Sequence, residues 1–184
     1  MNVFDFLFVI VAIVLTLGIA ELLGGVVRIL RGELRSDGLH TLWIVITFQL
    51  QVQLAWGLWG LHTRATWRYP EFLVLLSGPI VVYLIAALLY PPGGVERADV
   101  HLLRRRRPFF LLNALYVAIT ALYSWVLWDQ GWVPAQALTR VVVIGALVTA
   151  ASTEKRALQW MIGLLLLVGN LVWTYQYAFT MASA

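Results

Sequence analysis

The chain opens with VFDFLFVIVAIVLTLGIAELLGGVVRI, from Val3 to Ile29, a run in which only Asp5, Glu21 and Arg28 carry charge. About 20 consecutive, mainly apolar residues are enough for a helix to cross the hydrocarbon core of a bilayer. Five further runs of comparable length follow, at about 41–62, 71–90, 109–129, 133–152 and 157–180. We therefore predict an all-α polytopic membrane protein, a bundle of six transmembrane helices with short loops, forming one transmembrane domain over residues 1–184.

The composition supports this fold class, and the short loops and missing motifs argue against an enzyme. Hydrophobic residues make up 61% of the chain and charged residues 12%, with a mean hydropathy of +0.84, whereas soluble domains are about 45–50% apolar and about 25% charged. The longest loop, from Pro92 to Arg107, is too short for a soluble catalytic domain. No nucleotide-binding, zinc-protease or serine-hydrolase motif is present. We therefore predict that the protein is not an enzyme.

Cofactor binding is also not expected. The chain has no cysteine, which excludes disulfides, thiolate catalysis and cysteine-ligated metals. His40 and His62 fall at opposite ends of one predicted span, so they do not suit a b-type haem, which needs two histidines at one depth. We predict no cofactor and no metal.

Basic residues are distributed unequally between the loops. The first, third and fifth loops carry most of the 13 Lys and Arg residues, whereas Arg64 and Arg68 are alone on the other side and Arg140 lies within a span. Basic loops remain cytoplasmic in multi-pass proteins. We therefore predict that these three loops are cytoplasmic and both termini external, in a bacterial-type inner membrane. The net charge of +4 then matches anionic lipid headgroups rather than nucleic acid.

Aromatic residues near the span ends predict interfacial belts. The outer belt comprises Trp67, Tyr69, Trp128, Trp132, Trp173, Tyr175 and Tyr177, and the inner belt Trp43, Tyr90 and Trp160.

Polar residues inside the spans predict a layer in the outer half of the membrane. Gln49 and Gln53 are spaced i, i+4 and share one helix face, while Gln51 is predicted to face a different neighbour or subunit. Similar depths are expected for Arg140, Asn170 and the Ser77–Pro79 kink. This layer would suit an anion, a carboxylate or a lipid headgroup. The alternatives are interhelical hydrogen bonds for the glutamines and snorkelling of Arg140 to the interface.

A second layer is predicted nearer the cytoplasm. Gly18, Glu21, Gly25 and Arg28 form a stripe on the first span, and Asn113 falls at a similar depth. The glycines allow close helix approach. Glu21 is expected to form an ion pair with Arg28, Arg31 or the basic third loop; the alternative is that it carries a proton or cation.

The sharpest charge cluster is the run Arg104, Arg105, Arg106, Arg107, which precedes Pro108. It is interpreted as an anchor on anionic lipid, with docking of an acidic cytoplasmic partner as the alternative.

Two functions fit the sequence. The first is a small transport or channel protein, expected to be a homo-oligomer, whose path is lined by the polar layers; Arg140→Ala should then abolish flux or reverse its charge preference. The second is a non-catalytic accessory or assembly subunit of a larger membrane complex, or a protein that organises lipid. In that case Arg140→Ala should only destabilise the protein, and charge reversal of the arginine run should release a partner.

Overall fold

The computed structural model describes residues 3–92, 97–129 and 134–178, with the backbone alone at residues 134, 177 and 178. Every regular element within these ranges is helical, and six helices are long and apolar enough to cross a membrane, as predicted. The helices are α1 (Val3–Leu30), α2 (Gly38–Trp59), α3 (Tyr69–Leu88), α4 (Ala98–Arg104), α5 (Arg106–Val126), α6 (Pro134–Ser152) and α7 (Arg156–Trp173), which a π-helical turn (Thr174–Ala178) extends.

The boundaries differ from the sequence-based ones where local hydrogen bonds decide them. Helix α2 begins three residues earlier than predicted because the Asp37 carboxylate accepts a hydrogen bond from the His40 backbone N–H at 2.9 Å and caps the helix. The short helix α4 was not predicted; it occupies the third loop. The start of the predicted fifth span at 133, Trp132 of the predicted outer belt and the predicted end of the last span at 180 lie outside the described residues.

The helices pack in a connected series, with α2 across it. Helix α1 packs on α3, α3 on α5 and α5 on α6, while α2 contacts α1, α3 and α7. One face of α1 is buried, and its residues recur at intervals of three or four: Phe4, Leu7, Val11, Leu15, Gly18, Leu22 and Gly25. This spacing is that of a left-handed helix–helix seam.

The inner end of the bundle, where the predicted cytoplasmic loops lie, is held by polar ties between loops. Asp37 forms an ion pair with Arg156 at the start of α7. Glu154, in the loop before α7, binds Arg106 with a distance of 2.7 Å between Oε1 and Nη2. The Ala98 N–H donates to the Arg35 carbonyl oxygen at 2.9 Å and fixes the start of α4 against the first loop.

Two aromatic residues predicted for the inner belt lie inside the bundle instead. The Trp43 indole is fully buried and meets the rings of Phe109 and Phe110 edge to face, with centroids 5.4 and 5.1 Å away. Tyr90 is also buried, because its ring packs directly on Gly25 and its hydroxyl donates to the Leu22 carbonyl oxygen at 3.1 Å. Both residues are buried by side chains of other helices. The belt prediction used only how close each residue is to the end of its span, and that does not show which helix lies beside it.

Candidate functional site

The residues of the predicted outer layer lie at three separate helix contacts. At the contact of α2 with α7, the Gln53 side-chain amide donates to the Asn170 carbonyl oxygen at 3.2 Å and to the Thr174 hydroxyl. The Asn170 side-chain oxygen is buried and has no hydrogen-bond partner among the described residues. Gln49, four residues before Gln53, is half-buried. The Gln53–Thr174 pair therefore ties α2 to the π-helical turn that extends α7.

Arg140 belongs to the contact between α5 and α6. Its Nη2 donates to the Ser124 hydroxyl at 2.6 Å and to the Thr120 carbonyl oxygen at 3.3 Å, both on α5. The structure shows no hydrogen bond between Arg140 and Gln53 or Asn170 within the described chain. Two polar partners on the neighbouring helix lower the cost of placing a guanidinium within a span.

The helical hydrogen bond that Pro79 cannot make is replaced by one from Tyr123, a residue that the sequence did not single out. Pro79 has no N–H to give to the Leu75 carbonyl oxygen four residues earlier. The Tyr123 hydroxyl donates to that oxygen at 2.7 Å and accepts from the Gly78 N–H at 2.9 Å. Ser77 donates to the Val74 carbonyl oxygen at 2.6 Å. The Ser77–Pro79 segment is therefore part of the hydrogen-bonded contact between α3 and α5.

Tyr123→Phe is expected to lower the free energy of unfolding by about 1–2 kcal/mol, because the buried Leu75 carbonyl oxygen loses the hydroxyl that donates to it. Unfolding in mixed micelles titrated with a denaturing detergent measures this loss. Tyr116→Phe is the matched control, since Tyr116 is buried on the same helix and makes no hydrogen bond to the described residues. Equal effects of the two substitutions would show that the hydrogen bond from Tyr123 to the Leu75 carbonyl oxygen does not stabilise the fold.

The predicted inner layer is divided between two surfaces. Asn113 is buried, and its side-chain amide donates to the Phe109 carbonyl oxygen at 2.9 Å on its own helix. Glu21 is exposed on the outside of α1, next to a pocket of about 270 Å³. It makes no ion pair with a described residue, and Arg28 instead donates to the Pro91 carbonyl oxygen at 3.4 Å. The predicted pairing of Glu21 with Arg28 is therefore not formed.

The arginine run is divided by a helix break. Arg104 ends α4, Arg105 adopts a non-helical conformation, and Arg106 and Arg107 begin α5. Arg106 is the most enclosed of the four, since it binds Glu154 and the Leu103 carbonyl oxygen. Arg104, Arg105 and Arg107 are exposed on the same end of the bundle.

A row of polar residues runs along the buried face of α2. His40, Trp43, Thr47 and Gln51, which we call the α2 polar file, follow each other at intervals of three or four residues and are each at most 1% exposed. The Thr47 hydroxyl donates to the Trp43 carbonyl oxygen at 2.8 Å. The Trp43 indole N–H and both polar atoms of the Gln51 amide have no partner among the described residues.

Gln51 lies against α1 at a glycine. A Cβ atom built on Gly18 would be only 3.0 Å from the Gln51 Nε2 and 3.2 Å from its Oε1. The absence of a side chain at Gly18 therefore makes room for the amide between the two helices. At about 1.5 Å rise per residue, the file extends about 16 Å from His40 to Gln51, roughly half of a bilayer core of about 30 Å.

The inner end of the file is a buried cluster of ionisable groups under α4. The His40 Nε2 lies 2.8 Å from the Leu89 carbonyl oxygen, and its Nδ1 lies 2.8 Å from the Ser36 hydroxyl. Because a carbonyl oxygen only accepts, Nε2 carries the proton, and in the neutral ring Nδ1 accepts from Ser36. Asp99 and His101 of α4 are buried and close enough to His40 to interact with it electrostatically.

Asp99 also forms an ion pair with Arg97, which lies at the surface. The Arg97 Nη2 lies 2.9 Å from the Asp99 Oδ2, and this hydrogen-bonded ion pair raises the pKa of Arg97 above its ordinary value. No group of three or more histidine or acidic side chains in the described part of the chain is arranged to hold a metal ion.

Beyond Gln51 the same face of α2 becomes apolar. Leu54 and Leu58 continue the spacing of the file, and Leu61 follows at the end of the helix; we call these three buried residues the leucine seal. Next to Leu61 lies a pocket of about 780 Å³, the outer pocket, between the second loop and the end of α5.

The wall of the outer pocket is polar, and Arg64 connects the start of α3 to the end of α5. Arg64 binds Glu71 at 2.7 Å and donates to the Leu127 carbonyl oxygen at 3.1 Å. Its guanidinium also lies 5.1 Å from the Trp67 ring centroid. The outer pocket, the leucine seal and the α2 polar file thus follow one another along a single helix face.

Comparisons of the chain with protein-family models, with curated proteins and with solved structures found no match. Its functional residues must therefore be inferred from its own geometry.

From the sequence, Trp43 was predicted to lie in the inner belt, His40 was considered only as a haem ligand, and Thr47 was not singled out. Gln51 was separated from Gln49 and Gln53 correctly, but its position at the centre of the bundle was not foreseen. A signal was present: Trp43 and Thr47 precede Gln51 by eight and four residues, which places all three on one helical face.

Proposed function

We propose that the protein is a small integral membrane transport protein whose solute passes along the buried face of α2. The observation that supports this most directly is the set of unpaired polar atoms in the file: the Trp43 N–H and both ends of the Gln51 amide. A buried donor or acceptor without a partner costs about 1–3 kcal/mol. Water or a solute that pairs with these atoms relieves that cost, so the file favours polar occupants inside an otherwise apolar bundle.

The chemistry of the file favours small hydrogen-bonding solutes. Indole, hydroxyl and amide groups offer neutral donors and acceptors, whereas a bare ion requires charges or a ring of carbonyl oxygens. Arg140, the only arginine or lysine more than one turn inside a span among the described residues, directs a guanidinium nitrogen to Ser124 and Thr120 on α5, on a different helix from the file. We therefore propose water-sized neutral solutes, with protons moving along hydrogen-bonded water as the next candidate.

The leucine seal gives this path a closed state. Leu54, Leu58 and Leu61 remove hydrogen-bonding groups from the path between Gln51 and the outer pocket. Hydrophobic constrictions of this kind gate channels by excluding water. The path is therefore polar on the inner side and closed on the outer side.

The test is solute and water flux into liposomes containing the purified protein, measured by stopped-flow light scattering. Gln51→Leu should reduce protein-dependent flux to the level of empty liposomes because the central donor and acceptor are lost. Gln49→Leu is the matched control and should leave flux unchanged, since Gln49 lies half-buried on another face.

The stability of the same variants makes the test decisive. Replacing an unpaired buried amide by an apolar side chain of similar size is neutral or stabilising, so Gln51→Leu should fold at least as well as the unaltered protein. Unchanged flux in a folded Gln51→Leu protein would rule out the path. So would the absence of flux for water, protons and small neutral solutes both in the unaltered protein and after Leu58 of the seal is replaced by serine.

We also propose the orientation that the charges indicate. Loops one, three and five would lie in the cytoplasm of a bacterial-type cell, and the outer pocket would open on the opposite side, consistent with the basic residues at the inner end. The protein would be a non-catalytic homo-oligomer in this setting. Labelling of single cysteines placed in the loops of this cysteine-free chain with an impermeant maleimide tests the orientation.

A second candidate function is that of an accessory subunit of a larger membrane complex. It is favoured by the exposed arginines at the end of α4 and the start of α5. Arg105→Glu with Arg107→Glu should release an acidic partner or weaken binding to anionic lipid vesicles. Arg106→Glu is not a fair test, because Arg106 binds Glu154 and its loss would loosen the fold.

A further inference from the structure

The contact between α4 and the inner end of α2 contains ionisable side chains. The buried residues of α4 are Ala98, Asp99, His101 and Leu102, and His40 of α2 is fully buried and close to two of them. Apolar side chains would hold a short helix in place without the cost of burying ionisable groups. Three such groups at one helix contact therefore indicate a role beyond packing.

The hydrogen bonds of His40 fit a neutral imidazole. Its Nε2 donates to the Leu89 carbonyl oxygen and its Nδ1 accepts from the Ser36 hydroxyl, so both ring nitrogens are satisfied without a charge. A second proton on the ring would turn Nδ1 into a donor and reverse the bond with Ser36. It would also place a positive charge on a ring that water does not reach.

Charged and titratable groups surround His40 from each part of the described chain that packs near it. They are Asp37 of the first loop with its partner Arg156, Tyr90 after α3, Asp99 and His101 of α4 with Arg97, and Glu21 and Arg28 of α1, which line a hollow with Tyr90.

The carboxylates of Asp37 and Asp99 are already engaged on both oxygens. Asp37 accepts from the His40 backbone N–H through Oδ1 and binds Arg156 through Oδ2. Asp99 accepts from the Arg97 Nε at 3.1 Å through Oδ1 and from its Nη2 at 2.9 Å through Oδ2. A charged imidazole at this contact would therefore compete with arginine for its counter-charge.

Protonation of both imidazoles would unbalance the contact. The charges of Arg97 and Asp99 cancel, so protons on His40 and His101 would add two positive charges where water does not reach. Like charges repel, and a buried charge without its own counter-ion is costly. The cost falls when the rings reach water. Helix α4 can uncover them by turning at Arg105, where the helical path into α5 is broken.

We propose that α4 is a pH-sensitive gate at the inner end of the α2 polar file. While both imidazoles are neutral, α4 lies on α2 and shields His40 from water. When both bind protons, α4 turns away, and the Ala98 N–H exchanges its bond to the Arg35 carbonyl oxygen for a bond to water. Acid then connects the file with water on the inner side. The role of a gate rests on the proposed transport path, whereas the displacement of α4 does not.

The absence of cysteine makes the displacement directly measurable. Leu102→Cys places a thiol on the buried face of α4, and Val100→Cys is the matched control on its exposed face. Each full-length variant is reconstituted in lipid nanodiscs, which leave both ends of the bundle accessible, and is labelled with a water-soluble maleimide. The ratio of the two labelling rates removes the effect of pH on the reagent and the thiol.

This ratio should rise about tenfold or more between about pH 7.5 and about pH 5.5, a range that brackets the ordinary pKa of histidine, about 6.5. Protons shift the balance by as much as the imidazoles bind them more tightly when exposed, so a tenfold difference at one ring is sufficient.

Histidine variants identify the groups that take up the protons. His40→Gln keeps a side-chain N–H for the Leu89 carbonyl oxygen, and combined with His101→Gln it should make the labelling ratio independent of pH. His101→Gln alone, which leaves the hydrogen bonds of His40 in place, should reduce the rise several-fold. His62→Gln, beyond the other end of α2, is the matched control and should leave the rise unchanged.

A labelling ratio that does not change with pH would overturn the proposal, as would an equal rise in the folded double variant or in His101→Gln. Acid-dependent labelling in a protein without flux would support the displacement of α4 and count against the transport path. Flux with acid-independent labelling would have the opposite meaning, so the two proposals fail separately.

Discussion

Leu58→Ser is expected to raise protein-dependent solute flux into liposomes by about 10- to 100-fold. Leu58 is fully buried at the centre of the leucine seal, between Gln51 and the outer pocket. Keeping a leucine side chain away from water is favourable by about 1.5–3 kcal/mol. Water that enters the seal loses this free energy, which therefore adds to the barrier to flux. Each 1.36 kcal/mol removed from a barrier is tenfold in rate, so a serine that tolerates water should open the path.

The control for this prediction is Val52→Ser. Val52 is exposed on the opposite side of the same helix, so a serine there adds a hydroxyl to α2 without touching the seal. Its flux should equal that of the unaltered protein. If Leu58→Ser folds and its flux does not rise, the seal is not the barrier, and the path would have to leave the face of α2 before Leu58. The double variant with Gln51→Leu should lose the gain, because both residues lie on one path.

The sequence predicts the six membrane-spanning helices well because length and hydropathy are local properties. The run from Val3 to Ile29 and the helix Val3–Leu30 nearly coincide. The consequence of Pro79 was also accessible, since a proline always frees the carbonyl oxygen four residues earlier. The residue that donates to this oxygen could not be predicted, because Tyr123 lies 44 positions further along the chain, on another helix.

Which side of each helix is buried is difficult to predict from the sequence. In a water-soluble bundle the buried face is the apolar one, but in lipid both faces are apolar and the contrast disappears. Gln49, Gln51 and Gln53 illustrate the problem. Their relative spacing was read correctly, yet the glutamine at the centre of the bundle is Gln51, because Gly18 on α1 leaves room for it.

The same reason explains the different positions of Glu21 and Gly25. Both were assigned to one stripe of α1, because residues 18, 21, 25 and 28 recur at helical intervals. The buried seam passes through Gly18, Leu22 and Gly25, and it leaves Glu21 on its outer flank. A rotation of one helix by less than a third of a turn separates a residue inside the bundle from a residue on its surface.

Gly25→Leu is expected to lower the free energy of unfolding by about 3 kcal/mol or more, the largest effect on stability that we predict. A Cβ on Gly25 would lie 2.0 Å from the Cζ atom of the Tyr90 ring, so the ring must leave its site. Overpacking a core costs about 1–3 kcal/mol, and the displaced Tyr90 hydroxyl also loses its bond to the Leu22 carbonyl oxygen. Detergent-induced unfolding in mixed micelles measures the change.

The damage should extend to the inner end of the α2 polar file. The Tyr90 ring meets the His40 ring edge to face, with centroids 5.5 Å apart, and His40 in turn binds the Leu89 carbonyl oxygen. Gly169→Leu adds the same side chain in open space and should change stability by less than about 1 kcal/mol. Combining Gly25→Leu with Tyr90→Ala should recover part of the loss, because the smaller side chain leaves room for the leucine. A Gly25→Leu protein as stable as Gly169→Leu would show that α1 and α3 do not approach each other at this glycine.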